Sequence, residues 1–156
     1  MSDPKHTSMA WEALFRAQVE IMRRLEADDL MPDLTLKEYD VLYTLRLAGG
    51  DGLRLKELNK GVLMHQSALS RLVERLELRG LVARRTAPDD RRGTLITLTA
   101  EGIRLQREMG RRHVAQIDHY VGSALSPREL EQLRVLTEKL KNAQEAIPRF
   151  NTREAR

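Results

Sequence analysis

Residues 55–98 read LKELNKGVLMHQSALSRLVERLELRGLVARRTAPDDRRGTLITL, and the order of patterns within them decides the fold. Leu69, Leu72, Val73 and Leu76 recur at i, i+3, i+4 and i+7, which is the spacing of one buried helical face. The opposite face of 66–79 carries Gln66, Ser67, Ser70, Arg71, Glu74 and Arg75. Just upstream, residues 56–60 suit a short helix with Leu55 and Leu58 inward; Gly61 sits where a left-handed residue would end it, and 62–65 form the turn. Downstream, Gly80 stops the second helix and residues 81–86 begin a strand. Residues 94–98, rich in β-branched side chains, make a return strand with Ile96 and Leu98 on one face. The charged stretch 87–93 between them is the long tip of a hairpin. A short helix, a tight turn, a second helix and a basic hairpin form the plan of a winged helix-turn-helix.

The chemistry of the second helix fits that plan. Ser67 and Ser70 allow close approach to a duplex, while Arg71 and Arg75 reach phosphates or guanine edges. The plainer reading of such a face is an ordinary solvated helix surface. The hairpin tips the balance, because Arg84, Arg85, Arg91 and Arg92 place cations on or beside it, where a narrow minor groove favours arginine. Asp89 and Asp90 oppose a purely electrostatic account, and at least one serves to orient an arginine side chain.

On either side the chain is helical. Trp11, Leu14, Phe15, Ile21, Met22 and Leu25 predict a first helix over about 7–29 with Ser8 as its cap, broken at Met31-Pro32-Asp33. Thr35 and Glu38 form a capping box that starts a helix buried along Leu36, Tyr39, Leu42 and Leu45; Gly49-Gly50-Asp51-Gly52 ends it, and residues 53–55 suit a very short strand. Thr99 caps a long helix over about 100–121, with Ile103, Met109, Val114, Ile117, Tyr120 and Val121 on one side. Ser126-Pro127-Arg128-Glu129 opens a last one with a stripe of Leu130, Leu133, Leu136, Leu140, Ala143 and Ile147. The fold class is therefore mainly α with a small β-hairpin wing.

The 156 residues suit one subunit with a real core. The formal charge of +4 is modest, but the excess is mostly arginine and the sequence pI is about 9.7, which suits phosphate recognition. There is no cysteine, which excludes disulfides, thiolate catalysis and cysteine-based zinc or redox sites. The start lacks an apolar signal region and no apolar run nears the ~18 residues of a membrane span, so a cytoplasmic location is expected. Walker, dinucleotide and nucleophile-elbow motifs are missing, and His6, His65, His113 and His119 contain no zinc-hydrolase spacing. Neither an enzyme nor a cofactor is expected.

Two runs carry a resemblance. Arg71-Leu-Val-Glu-Arg75-Leu-Glu-Leu-Arg-Gly80-Leu-Val and Asp89-Asp90-Arg91-Arg92-Gly-Thr-Leu-Ile-Thr-Leu98-Thr99-Ala-Glu-Gly102 resemble the signature of MarR-type (multiple antibiotic resistance regulator) transcription factors. The resemblance implies a dimer of winged-helix subunits with intertwined terminal helices, binding a pseudopalindromic DNA operator, usually as a repressor released by a small ligand. It places Ser70, Arg71 and Arg75 on the recognition helix, Asp90 at the wing acid and Arg92 at the arginine that enters the minor groove. Gln66, Ser67, Arg84 and Arg91 complete the expected DNA-binding set. His65 is a departure, since many relatives start the recognition helix with Ser or Thr. On this reading 1–156 is a single subunit: 34–98 is the head, 7–31 and 99–148 the dimerisation region, and 149–156 a flexible tail.

The residues support a homodimer independently, because the stripes of 7–29, 100–121 and 126–147 exceed what the small head covers. An effector pocket is expected where Trp11, Phe15, Tyr39 and Tyr43 come together, with Arg16 or His113 pairing an acid group; the resemblance suggests phenolic or aromatic acids. The bland reading of these aromatics is core packing. The rival function is a winged helix that binds protein rather than DNA, for which an apolar face on 66–79 would be the sign.

Overall fold

The computed structural model describes residues 3–28, 33–62, 64–88 and 90–150, with the backbone alone at 90–92. Met31 and Pro32, expected to break the first helix, and Asp89 lie outside the described residues, as do the side chains of Asp90, Arg91 and Arg92. The chain divides into two units, Met1–Gln116 and Ile117–Arg156.

In the first unit, helix α1 spans Pro4–Ala27. It starts earlier than Ser8 because Asp3 is a better opening: its carboxylate accepts from the Lys5 N–H at 3.0 Å, and Pro4 has no N–H to leave unsatisfied. Leu25 is the buried residue of α1. Helix α2, Leu36–Leu47, begins with the expected capping box. The Glu38 carboxylate accepts from the Thr35 N–H at 2.9 Å, and Thr35 Oγ1 accepts from the Glu38 N–H at 3.2 Å. Tyr39, Leu42 and Leu45 are buried as expected, Leu36 is half-buried, and Val41 is fully buried as well. Neighbours thus cover α2 on more than one side.

A single 3-10 turn, Gly49–Asp51, leads to β1 (Leu53–Arg54), α3 (Leu55–Gly61) and α4 (Gln66–Leu78). Gly61 is not left-handed, contrary to the sequence expectation; among the described glycines that conformation belongs to Gly49, Gly52 and Gly80. Its place is explained by packing, since a Cβ there would stand 2.8 Å from Thr44 Cγ2 on α2. Gly80 does end α4 with φ +70°. The Gly80 N–H donates to the Glu77 carbonyl at 2.8 Å and the Leu81 N–H to Leu76 at 2.9 Å, which is the Schellman pattern. Leu76 and Leu81 are both in the core.

Strands β2 (Val82–Ala87) and β3 (Asp90–Leu98) form the hairpin, and β1 joins on the far side in the order β1-β3-β2. The expected long tip over 87–93 is corrected: β3 runs back to Asp90. Thr86 pairs with Thr94 but Ala87 pairs with Asp90, so 91–93 have no opposite numbers and bulge. A bulge of this kind bends a strand and re-aims its side chains.

Thr99 caps α5, Ala100–Ile117, by accepting from the Gly102 N–H at 3.0 Å, while its own hydroxyl donates to the Gly80 carbonyl at 2.6 Å. The buried side of α5 is Gly102, Leu105, Gln106, Met109 and Gln116. This corrects the predicted stripe: Val114 and Ile117 are exposed, and Ile103 is half-buried. Two glutamines replace aliphatics on the inner face because they have polar partners there. Gln116 Nε2 donates to the Leu25 carbonyl at 3.4 Å and to Asp28 Oδ2 at 3.2 Å, joining the end of α1 to α5. The core at the centre of the unit gathers Leu42, Leu45, Leu58, Leu69, Val73, Leu76 and Met109.

In the second unit, the helix predicted to reach residue 121 changes pitch at Asp118. Asp118–Gly122 form a single π turn, in which the Ser123 N–H reaches back five residues to the Asp118 carbonyl at 3.0 Å. Helix α6, Pro127–Ala143, opens on the expected Ser126/Glu129 capping box. Its apolar stripe is largely open: Leu133, Leu136 and Leu140 are exposed. Among the described residues no helix is long and apolar enough to cross a membrane.

Candidate nucleic-acid interface

Helix α4 is held from beneath and open above. Leu69, Val73 and Leu76 are fully buried and Leu72 nearly so, which anchors one face. Gln66, Ser67, Arg71, Glu74 and Arg75 are exposed, and Ser70 is half-buried. Among the described residues neither Arg71 nor Arg75 takes part in an ion pair, so both cations remain available to an outside anion.

The entry to α4 rests on backbone and on α3. His65 occupies the N-cap position in extended conformation, and its side chain makes no capping bond; the Leu69 N–H donates to the His65 carbonyl at 3.0 Å. Helix α4 therefore opens on backbone hydrogen bonding alone, without a side-chain cap from His65. Asn59 Nδ2, on α3, donates to the Met64 carbonyl at 2.8 Å and fixes the turn between the two helices. At the far end, Arg79 Nη1 bonds Glu38 Oε1 at 3.3 Å and Arg79 Nη2 donates to the Asp33 carbonyl. Glu38 thus serves the start of α2 and the end of α4 with its two oxygens.

The wing divides its arginines by face. Arg84 turns toward α4 and pairs with Glu77 at 3.3 Å, with both groups partly exposed. That pair contributes little stability in water, but it draws Arg84 toward the helix and away from the tip. Arg85, its neighbour, is on the other face of the sheet and exposed. Leu95 on β3 lies across from Arg85 on β2 and from Arg54 on β1. Sequence reasoning missed Arg54 and Glu77, because neither strand register nor a cross-element ion pair is visible in local patterns. Asp90, Arg91 and Arg92 lie on β3, and the positions of their side chains are outside the described residues.

The expected effector residues fall into two groups. Tyr39 and Tyr43 stack at 6.0 Å, and the His113 ring meets Tyr39 edge-on at 5.0 Å. Trp11 and Phe15 instead stack on one another at 6.2 Å, both more than half exposed, and Arg16 pairs with Glu12 at 3.1 Å. Trp11 and Phe15 lie 14 and 10 residues before Leu25, where α1 meets α5; at the α-helical rise that is about 15–21 Å.

Around His113 burial works against charge on each titratable group. Burial pushes the His113 imidazole below its ordinary value, opposed by Gln116 and by the charge of Asp40. Burial raises the Asp40 carboxyl, with His113 opposing, and raises the Tyr39 phenol, whose hydroxyl meets Gln106. His113 Nδ1 and Gln116 Oε1 are buried with no well-formed hydrogen bond, although the Gln116 side chain comes close enough to the imidazole to oppose its downward shift. Asp40, Gln106 and Gln116 escaped the sequence reading, since polar residues inside a helix pair give no periodic signal. Among the described residues no group of three or more His, Asp or Glu side chains is placed to hold a metal ion.

A family model described as MarR family matches residues 33–93. The HTH-type transcriptional regulator PecS of Dickeya dadantii is 30% identical over 124 residues, 79% of this chain and 74% of PecS. The crystal structure of Sco3205, a MarR family transcriptional regulator from Streptomyces coelicolor, in complex with DNA, superposes with a TM-score of 0.76 at 25% identity, covering 92% of this chain and 90% of Sco3205. BpsR of Bordetella bronchiseptica, whose DNA binding is regulated by 6-hydroxynicotinic acid, gives a TM-score of 0.74 at 28% identity over 85% of this chain and 93% of its own.

Proposed function

Because the chain belongs to the MarR family, whose members are transcription regulators and not enzymes, we propose that it is a cytoplasmic, homodimeric repressor that binds a pseudopalindromic operator and leaves it when a small aromatic acid binds. The observation that carries the reading is α4: one face fully buried, the other presenting Arg71 and Arg75 without ion partners among the described residues. An arginine so presented reads guanine edges or holds phosphates. Gln66, Ser67 and Ser70 complete the major-groove face, and Arg91 and Arg92 with Asp90 form the minor-groove contact. Arg84, drawn to Glu77, acts by tying the wing to α4. A polar, cationic α4 face also disfavours the protein-interaction alternative.

The dimer is supported by apolar surface within each unit. Trp11, Phe15, Val19 and Met22 line an exposed side of α1, and Leu133, Leu136 and Leu140 line α6; such stripes are covered by a second copy in the commonest two-fold solution. Two α4 helices then meet half-sites about one helical turn, ~34 Å, apart. For the effector, the Tyr39–Tyr43–His113 group with the buried His113 Nδ1 and Gln116 Oε1 supports a site for an aromatic ring bearing hydroxyl or carboxylate; Trp11, Phe15 and Arg16 belong to the exposed side of α1 that a second copy covers.

Purified protein is expected to bind the duplex upstream of its own or a neighbouring gene, with affinity falling steeply as salt rises through counterion release. Arg92→Ala is expected to weaken that binding by about 1–3 kcal/mol, the usual cost of one groove contact. Binding that ignores salt, or an unchanged affinity in the variant, would remove the regulator reading or the wing assignment respectively. A panel of hydroxylated benzoic and nicotinic acids is expected to contain at least one that releases the duplex, an effect that His113→Ala abolishes. If no acid in the panel shifts the binding curve, the effector proposal fails.

A further inference from the structure

We propose that Arg54 is a positioning residue for the wing, its guanidinium plane packed over Gly93 of β3 at the root of the bulge; the inference rests on the reading that the wing contacts DNA. Strand β1 is only two residues long, Leu53–Arg54, and pairs with the middle of β3. Arg54 lies opposite Leu95, and a side chain on that face reaches the diagonal neighbour two positions on, which is Gly93. The structure shows that reach: a Cβ built on Gly93 would lie 2.9 Å from Arg54 Cζ and 3.0 Å from Nη2, and against Nη1. Gly93 is buried although it adjoins the wing tip.

Three features make this contact consequential. Gly93 is the last residue of the unpaired stretch 91–93, so its orientation sets how the bulge, and with it the backbone of Arg91 and Arg92, leaves the regular sheet. The guanidinium is flat and weakly hydrated, which lets it pack against a bare backbone where a lysine ammonium would not. Arg54 and Arg85 also flank Leu95 from the two outer strands, about 10 Å apart at the usual strand spacing, so a single face of the sheet is cationic on both sides of the strand that carries the tip. A two-residue strand adds little to the sheet by itself; its role here is to deliver Arg54 to that place.

The test uses a duplex selected from a random-sequence library by the wild-type protein. Arg54→Ala and Arg54→Lys are each expected to lower affinity about tenfold, a partial loss of the wing contact. Gly93→Ala, which displaces the guanidinium while leaving it in the chain, is expected to match them. The double variant Arg54→Ala/Gly93→Ala is expected to be no weaker than either single change, because both remove one interaction. Hydroxyl-radical footprints of the singles are expected to lose minor-groove protection at the edges of the site and keep it at the centre, with unchanged thermal melting. Recovery with Arg54→Lys would make Arg54 a direct phosphate contact and overturn the proposal. So would losses that multiply in the double variant, an unaltered footprint, or melting that falls in step with affinity. Failure of the wild-type protein to select any duplex would overturn the regulator reading itself and this role with it.

Discussion

Gly102→Ala is expected to destabilise the protein by about 2–4 kcal/mol, at or above the ~1–3 kcal/mol typical of overpacking because this site cannot relax. The reason is where the new methyl would go. A Cβ on Gly102 would overlap the carbonyl oxygen of Leu81 and stand 3.0 Å from its carbonyl carbon, so the obstacle is backbone rather than a side chain that can rotate aside. That backbone is already committed: the Leu81 carbonyl accepts from the Thr99 N–H at 3.2 Å and the Leu81 N–H closes the end of α4. Relief must come from lifting the first turn of α5 away from the α4–β2 junction. At constant protein concentration the midpoint of thermal unfolding is expected to fall by roughly 5–15 °C. Gly80→Ala is the natural comparison. No atom lies within 4 Å of a Cβ there, and only its φ of +70° resists a side chain, at a cost of about 1–2 kcal/mol. Equal losses at the two sites would show that the Leu81 overlap is not what Gly102 prevents.

Arg71→Ala/Arg75→Ala is expected to cost about 3–4 kcal/mol of operator binding, roughly a factor of 10²–10³. The two residues are one helical turn apart on the open face of α4, so a single groove or phosphate row takes both. Neither supports the fold through an ion pair among the described residues, and surface changes away from such features leave stability within about 0.5 kcal/mol. Affinity and stability should therefore separate: binding collapses while the melting curve stays in place. If both arginines hold phosphates, the slope of log affinity against log salt also falls by about two. A double variant that binds as tightly as the wild-type chain would show that α4 does not enter the groove by this face.

Much of the helical framework was legible because local physics decides it. The Leu69–Leu72–Val73–Leu76 spacing forces a single buried face whatever lies beneath, the Thr35/Glu38 and Ser126/Glu129 boxes close on residues three apart, and Gly80 ends a helix in a way few other residues allow. Charge on the polar face of α4 followed directly, and with it the nucleic-acid reading. The hairpin was legible as a hairpin but not in register. Its tip looked like a seven-residue loop on composition, yet pairing between Ala87 and Asp90 carries β3 to Asp90, since a ladder tolerates charged residues wherever the backbone bonds can form.

What the chain order by itself determined, then, is the set of elements and the chemistry of one helix face. Which residues meet across elements was decided by tertiary packing alone. Val114 and Ile117 were expected inward and lie outward, because the partners that Leu25, Asp28 and Tyr39 offer rotate α5 so that Gln106 and Gln116 face in. Arg84 belongs to Glu77 and Arg54 to Gly93 through contacts 7 and 39 positions apart in sequence that join different elements, where the periodicity of one element says nothing about the next. Hydrophobic spacing reports only whether a residue has a buried side. Partner and angle depend on where the other elements stop, and that is set by close approaches such as Gly102 on Leu81, where the absence of a single methyl group lets one backbone rest on another.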